Sequence, residues 1–417
     1  MSKKSNLQRY DLSDYLIHFV RPMKIDADDA PDIPEHWGWG NINEDVHYSP
    51  FFILRCIVRQ GRIWATWSYR GGKRTIYGRR PAACFTEMPL AAFVQSSRAR
   101  ASRGEKISPY GLVVPKGAAF DIGARPVIYS LSSDSRPMEL SDGTRVFAAE
   151  ILPETEQYRY VTYNPSQASG PDWTHEREWR WPGVPRRPAP DGLPPTSWEE
   201  MPGLDLFAMN VRGMGAIVRS QRQANLLIRD ILGLVDQKVI SVDTFRFILT
   251  LDGIPPLDQL WRPENVRKAI DENAVDLEPF FTAPPNADEL VERFMTLVGK
   301  VGSSVGEITR GEHGGCWLWL HDNTHPLVRA LQQAGCIEIS RVGRYLVPLP
   351  QLDDEVALHI REELTKALAT RIEATFGTSA GYFSVRDSND PNDVPFYCDL
   401  IDDEELFYNL SYNEKDF

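Results

Sequence analysis

The sequence predicts an α+β chain of 417 residues in two mixed domains. Three observations carry this reading. Short apolar runs bounded by turn residues crowd the first 180 or so positions, as separate short strands do. Seven prolines fall between 182 and 203, the composition of a linker. Beyond them, longer segments carry apolar residues at helical spacing. The expected layout is a mixed-sheet domain at 1–182, a linker at 183–203, a second α/β domain at 204–350, and a long helix with an acidic tail at 351–417.

Each element has its own signal. Tyr15–Val20 is an apolar run and reads as a strand. Phe51–Gln60 has apolar residues on a helical repeat and stops at Gly61, which predicts a helix with a glycine C-cap. Ala82–Glu87, Tyr110–Val114, Pro126–Ser130, Gln157–Tyr163 and Glu176–Trp181 read as strands. Ala216–Val218 reads as a strand opening the second domain, and Gln221–Leu234, Thr244–Leu251, Pro263–Ile270 and Ala287–Val298 as helices. Cys316–Leu320 and Arg344–Val347 read as strands, and Pro326–Ala334 as a short helix ended by Gly335. Leu352–Phe376 reads as a long amphipathic helix ended by Gly377, followed by an acidic tail broken by Pro391 and Pro395.

The hydrophobic fraction of 42% suffices for real cores and excludes wholesale disorder. The net charge of −12 argues against a simple nucleic-acid coat or a polybasic membrane binder. There is no run of eighteen apolar residues and no apolar stretch of signal-peptide type, so a cytoplasmic chain is expected. Five scattered cysteines read as reduced thiols. The charge is unevenly placed. Between Arg55 and Lys106 there are twelve Lys and Arg against two acids, and from Arg386 to Phe417 ten acids against two bases. A local anionic partner is therefore compatible with the negative total.

Four segments in the first domain carry chemistry: Ile17-His18-Phe19, Cys84-Phe85-Thr86-Glu87, Tyr110-Gly111-Leu112-Val113, and Trp173-Thr174-His175-Glu176-Arg177-Glu178-Trp179-Arg180. Glu176 and Glu178 are two apart, so on a strand both face one way. Like charges on one face push at least one pKa upward, which suits one proton-carrying acid and one charged stabiliser. Arg21, three residues after His18, suits a pyrophosphate. Trp173, Trp179 and Trp181 read as core residues more than as clamps on a planar ring.

This ordered set resembles the AbiGi-type abortive-infection family of bacterial phage-defence proteins. It is also similar to a group with Cys-Phe-Ser/Thr-Glu followed by Trp-x-x-Glu-x-Glu-Trp-Arg. Both look like distant members of the ADP-ribosyltransferase fold, and the resemblance spans roughly residues 12–182. It implies NAD as the substrate, Glu178 as the catalytic acid and Glu176 in support. It further implies that His18 contacts the NAD ribose or phosphate, that Thr86 buttresses the catalytic acid, and that Tyr110 belongs to the NAD-binding set. The implied setting is a toxin-like response to phage.

A basic tract is the second signal. Arg55, Arg59, Arg62, Arg70, Lys73, Arg74, Arg79 and Arg80 are interleaved with Trp64, Trp67, Tyr69 and Tyr77. Guanidinium groups pair with phosphates and aromatic rings stack on bases, so a nucleic-acid acceptor is one reading. A solvated loop neutralising the acidic tail, with Asp399–Glu405 docking near Arg55–Arg80, is the other. His313, Cys316, His321 and His325 have the crowding of a zinc site. Yet Cys316 starts an apolar strand and His325 precedes a helix, so no metal is expected. Gly302-Ser303-Ser304-Val305-Gly306 follows a helix, not a strand, and lacks the geometry of a nucleophile elbow.

The preferred function is an NAD-cleaving effector that transfers ADP-ribose to a nucleic acid or protein, with the second domain sensing a phage trigger or protein partner. The alternatives are an NAD glycohydrolase, or a non-catalytic protein that binds a nucleotide or nucleic acid.

Overall fold

The computed structural model describes residues 12–24, 47–70, 72–103, 108–131, 135–163, 173–183, 203–251, 255–256, 258–302, 311–341, 343–352, 356–393 and 396–398. The contacts divide the chain into two units. The first takes in residues up to 227 and 243–275; the second takes in 228–242 and 276–410.

The first unit is built on a seven-stranded mixed sheet. Its strands are β1 (Tyr15–Phe19), β2 (Ala82–Thr86), β3 (Gly111–Pro115), β4 (Arg125–Pro126), β5 (Glu178–Pro182), β6 (Met214–Val218) and β7 (Phe245–Thr250). They lie in the order β7-β6-β3-β1-β2-β5-β4. All neighbours are antiparallel except β6 and β7, which are parallel. Helices α1 (Pro50–Gln60), α2 (Leu90–Ala101) and α4 (Pro263–Glu272) belong to this unit, and α3 (Gln221–Asp236) begins in it. Ser49 caps α1 by accepting from the Phe52 N–H at 3.1 Å. Gly61 ends the helix with φ of 63°, and a Cβ there would stand 2.4 Å from the Phe207 ring. One core cluster joins Ile17, Phe93, Val113, Ile217, Phe247 and Ile270, each burial worth about 1.5–3 kcal/mol.

Three expectations change here. Residues 204–227 and 243–250 belong to the first unit and do not open a new domain. Gly203–Asp205 pairs with Arg62–Trp64, and β6 and β7 extend the first sheet beyond β3. The physical reason is edge coverage: β3 would otherwise expose an unpaired, apolar strand edge. Thr244–Leu251 is a strand and not a helix, because Phe245, Phe247, Ile248 and Leu249 are all buried in the sheet while Arg246 alone of Phe245–Thr250 is exposed. Pro126–Ser130 and Gln157–Tyr163 shrink to two-residue pieces, of which Ile128–Tyr129 and Tyr160–Val161 pair in parallel. The proline-rich stretch 184–202 lies outside the described residues, as do Ser303–Gly306 and the acidic segment 399–417.

The second unit holds a five-stranded antiparallel sheet. Its strands are β8 (Gly314–Leu320), β9 (Glu338–Ile339), β10 (Tyr345–Pro348), β11 (Ala380–Arg386) and β12 (Tyr397–Cys398), in the order β9-β10-β8-β11-β12. Its helices include α5 (Ala287–Gly302), α6 (Pro326–Gln333) and α7 (Leu358–Phe376). All seven residues of β8 are buried. Leu318 and Leu320 join the main core with Leu327, Leu331, Leu368 and Ile372. Trp317 and Trp319 join a separate cluster with Leu346, Phe383 and Val385, as the alternation of a strand requires. The long helix is thus a layer of this unit, capped by Gly377 at φ of 73°. β11 was legible only as tail, yet its Ala-Gly-Tyr-Phe-Ser-Val core is mostly buried. Among the described residues, no helix is long and apolar enough to cross a membrane.

Candidate active site

The register of the first sheet sets Thr86 opposite both Ile17 and Glu178. This brings the first, second and fourth motifs together. The His18 Nδ1 bonds the Cys84 carbonyl at 2.9 Å. A carbonyl only accepts, so Nδ1 carries the proton and a neutral ring keeps Nε2 as an acceptor. Burial lowers the His18 pKa, against the opposing effect of this hydrogen bond. The Thr86 hydroxyl donates to the Glu176 carbonyl at 2.5 Å and accepts from the Met88 N–H at 3.2 Å. Trp179 Nε1 donates to Glu87 at 2.7 Å, and Lys116 pairs with the same carboxylate at 2.9 Å.

These interlocks leave a cleft of about 470 Å³, lined by His18, Arg21, Arg100, Glu176, Glu178 and Arg180 among others. That is within the size range of small-molecule sites, roughly 300–1,000 Å³. Glu178 and Arg180 are alternate residues of β5. Arg180 holds both Glu178 oxygens, at 2.8 Å from Nε and 3.2 Å from Nη2. The guanidinium also donates to the Tyr158 carbonyl at 2.7 Å and the Tyr160 carbonyl at 3.2 Å. Burial is the largest single effect and opposes its charge, but Glu178, together with Cys84 and Tyr129, holds the Arg180 pKa above its ordinary value. A bidentate pair uses one lone pair on each carboxylate oxygen and leaves the other for a ligand.

Glu176 is not on the strand. It closes a 3₁₀ turn, Trp173–Glu176, and Arg177 takes a left-handed φ of 44° before β5 begins. The two acids reach one cleft through this kink and not through strand alternation. Burial first, and then the Glu178 charge, push the Glu176 carboxyl up, against the Arg100 ion pair at 2.9 Å. The expected direction of shift holds, but desolvation leads it. Cys84 also lines the cleft, and burial and Glu178 hold its thiol well above the usual range.

Other expected site residues fall elsewhere. Tyr110 does not line the cleft. Its side chain is fully buried and its hydroxyl meets Gln223 at 3.0–3.2 Å, because β3 lies inside the sheet. Arg21 lines the cleft on the exposed chain just after β1. Trp181 donates to the Ile122 carbonyl at 3.0 Å. Arg180 stood in the fourth motif without a role of its own, and Arg100 and Arg145 were not singled out. The spacing Glu178-x-Arg180 was a readable signal; Arg100 and Arg145 had none.

The basic tract does not form one face. Arg55 is 1% exposed and packs near Phe51. Arg62 lies 3.8 Å from Asp205. Arg74 stacks on Trp67 and donates to Thr144 at 2.7 Å. Arg79 meets Glu154 at 3.6 Å, and Lys73, Arg79 and Arg80 are exposed. Tyr77 is buried against Phe147 and Tyr160. In the second unit, Cys316 Sγ lies 3.5 Å from the Thr365 hydroxyl, and His321 Nδ1 bonds the Ser379 hydroxyl at 2.8 Å. His325 caps α6. Among the described residues, no three His, Cys, Asp or Glu converge as a metal site.

Residues 287–410 match the model of a family described as a protein of unknown function (DUF4427). No curated protein and no solved structure matches the chain.

Proposed function

We propose that the first unit is an NAD-cleaving enzyme of ADP-ribosyltransferase type, acting at the cleft between His18 and Glu178. The observation that carries this reading is the carboxylate pair in two different settings. Glu178 is gripped by Arg180 with lone pairs left over, and Glu176 is raised by burial. Rupture of the nicotinamide–ribose bond sends the bonding electron pair out with nicotinamide and leaves an oxocarbenium-like ribose. A fixed carboxylate beside that centre stabilises its positive charge, and its rigidity removes the cost of reorganisation. Glu178 takes this role. Glu176 takes the proton of the attacking acceptor, for which a raised pKa is suited. His18 offers Nε2 to a ribose hydroxyl. The acceptor is a nucleic acid or protein; with water as acceptor the same steps give an NAD glycohydrolase.

One observation favours a binding-only reading: Arg180 already engages both Glu178 oxygens. A single assay decides. The full chain is incubated with NAD labelled in nicotinamide, with and without DNA, RNA or cell extract. Release of label that falls roughly 10²–10³-fold in Glu178→Gln is expected. No release under any condition overturns the enzyme reading and leaves a nucleotide-binding protein.

A further inference from the structure

We infer that Arg145 and the hydroxyl wall beside it form a phosphate subsite of the cleft, one that takes the diphosphate of a nucleoside diphosphate. Four arginines line the cleft, and three of them, all but Arg21, make the contrast. Arg100 faces Glu176 and Arg180 faces Glu178. Arg145 meets no carboxylate among the described residues. It donates from Nη1 to the Tyr77 hydroxyl at 3.0 Å and from Nη2 to the Arg74 carbonyl, and its guanidinium lies 4.0 Å from the Tyr77 ring centroid. These contacts fix the plane of the fork without neutralising its charge. Each terminal nitrogen keeps a second N–H beyond the one engaged here, and the residue borders the cleft. A cation without a carboxylate at that wall favours an anion there.

The surroundings match that need. Thr66, Ser68, Thr75, Tyr77 and Thr162 line the same cleft and supply neutral hydrogen-bonding groups. The Thr75 hydroxyl and N–H both donate to the Ser68 carbonyl, at 2.9 and 2.7 Å, and Tyr77 pairs with Thr162 at 2.8 Å. Ser68 is held at a φ of 49°, a left-handed conformation that costs a non-glycine residue and is kept here on a cleft wall. A fixed guanidinium among hydroxyls, without a carboxylate, recognises phosphate oxygens. This assignment rests on the nucleotide reading of the cleft but not on its bond-breaking step.

The test is binding of ADP, adenosine and inorganic pyrophosphate to the full chain by calorimetry. ADP and pyrophosphate are expected to bind the parent and adenosine to bind far more weakly. Arg145→Gln should lose on the order of 10–100-fold in ADP affinity. Arg145 also supports Tyr77, so a second variant guards against misfolding: Thr66→Val should weaken ADP several-fold while its melting temperature stays near the parent's. Equal binding of adenosine and ADP, or parent-like ADP affinity in folded Arg145→Gln, overturns the subsite. NAD cleavage is read in parallel. Arg145-dependent ADP binding without nicotinamide release keeps the subsite and removes the chemistry. Nicotinamide release with kcat and KM unchanged in Arg145→Gln keeps the chemistry and removes the subsite.

Discussion

Two arginine–carboxylate pairs, one in each unit, are both bidentate but differ in their surroundings. In the second unit Arg329 grips Asp236 at 2.6 and 3.0 Å, and both side chains are 4% exposed. The Tyr345 hydroxyl donates to the same carboxylate, and Arg329 Nε donates to the Phe280 carbonyl at 2.7 Å. Burial, followed by Asp236, raises the Tyr345 pKa far above its usual value, so the phenol remains a donor. In the first unit Arg180 grips Glu178 at 2.8 and 3.2 Å, with Arg180 5% and Glu178 18% exposed. The first pair is closed on all sides by protein. The second opens onto a cleft. A bidentate ion pair is therefore no signature of function by itself; what counts is whether its remaining lone pairs face protein or space.

The largest expected effect is on the closed pair. Asp236→Ala strands a buried guanidinium and a buried phenol, and should cost about 3–5 kcal/mol in denaturant unfolding. A loss below about 1 kcal/mol would mean the pair is wetter than its burial indicates. Glu178→Gln keeps an acceptor for Arg180 and should cost less, about 1–2 kcal/mol. It should still lose the nicotinamide release described above. Equal destabilisation of the two variants would erase the distinction between a pair closed by protein and one that opens onto the cleft.

Glu176 sharpens the comparison through pH. Its carboxyl lies above the ordinary value of 4.5, so the folded chain holds this proton more tightly than the unfolded chain. Its contribution to stability is complete below about 4.5 and is lost as pH rises through the raised value. Between about pH 4 and pH 7, unfolding free energies should move in favour of Glu176→Gln over the parent. A gap that stays constant with pH would mean that burial does not raise the Glu176 carboxyl. The smallest effect belongs to the basic tract. Arg79 and Glu154 are 61% and 66% exposed, so Arg79→Ala should change stability by less than about 0.5 kcal/mol.

Much of the local structure was legible. Strand Tyr15–Phe19, the helix stopped by Gly61 and the helix stopped by Gly377 follow from patterns within a few residues. Phe245–Thr250 was not, because apolar residues at 245, 247, 248 and 249 satisfy helix and strand periods alike over so short a run. Ala380–Arg386 was hidden by the acidic stretch that follows it. At the site, His18, Glu176 and Glu178 of the ordered motifs all line one cleft. Tyr110 was misplaced because an aromatic hydroxyl next to a glycine looks the same whether it meets a ligand or Gln223.

By itself the sequence determined the kinds of elements, their caps, the separation of charge along the chain and the residue types available for chemistry. These depend on neighbours within a turn or two. The tertiary structure decided where the first unit ends, which of the basic residues are buried, and which acids share a space. Arg100 reaches Glu176 across 76 positions, and His18 reaches Cys84 across 66. Such distances are closed by strand register and packing, and a change of one residue in register would turn each side chain to the other face.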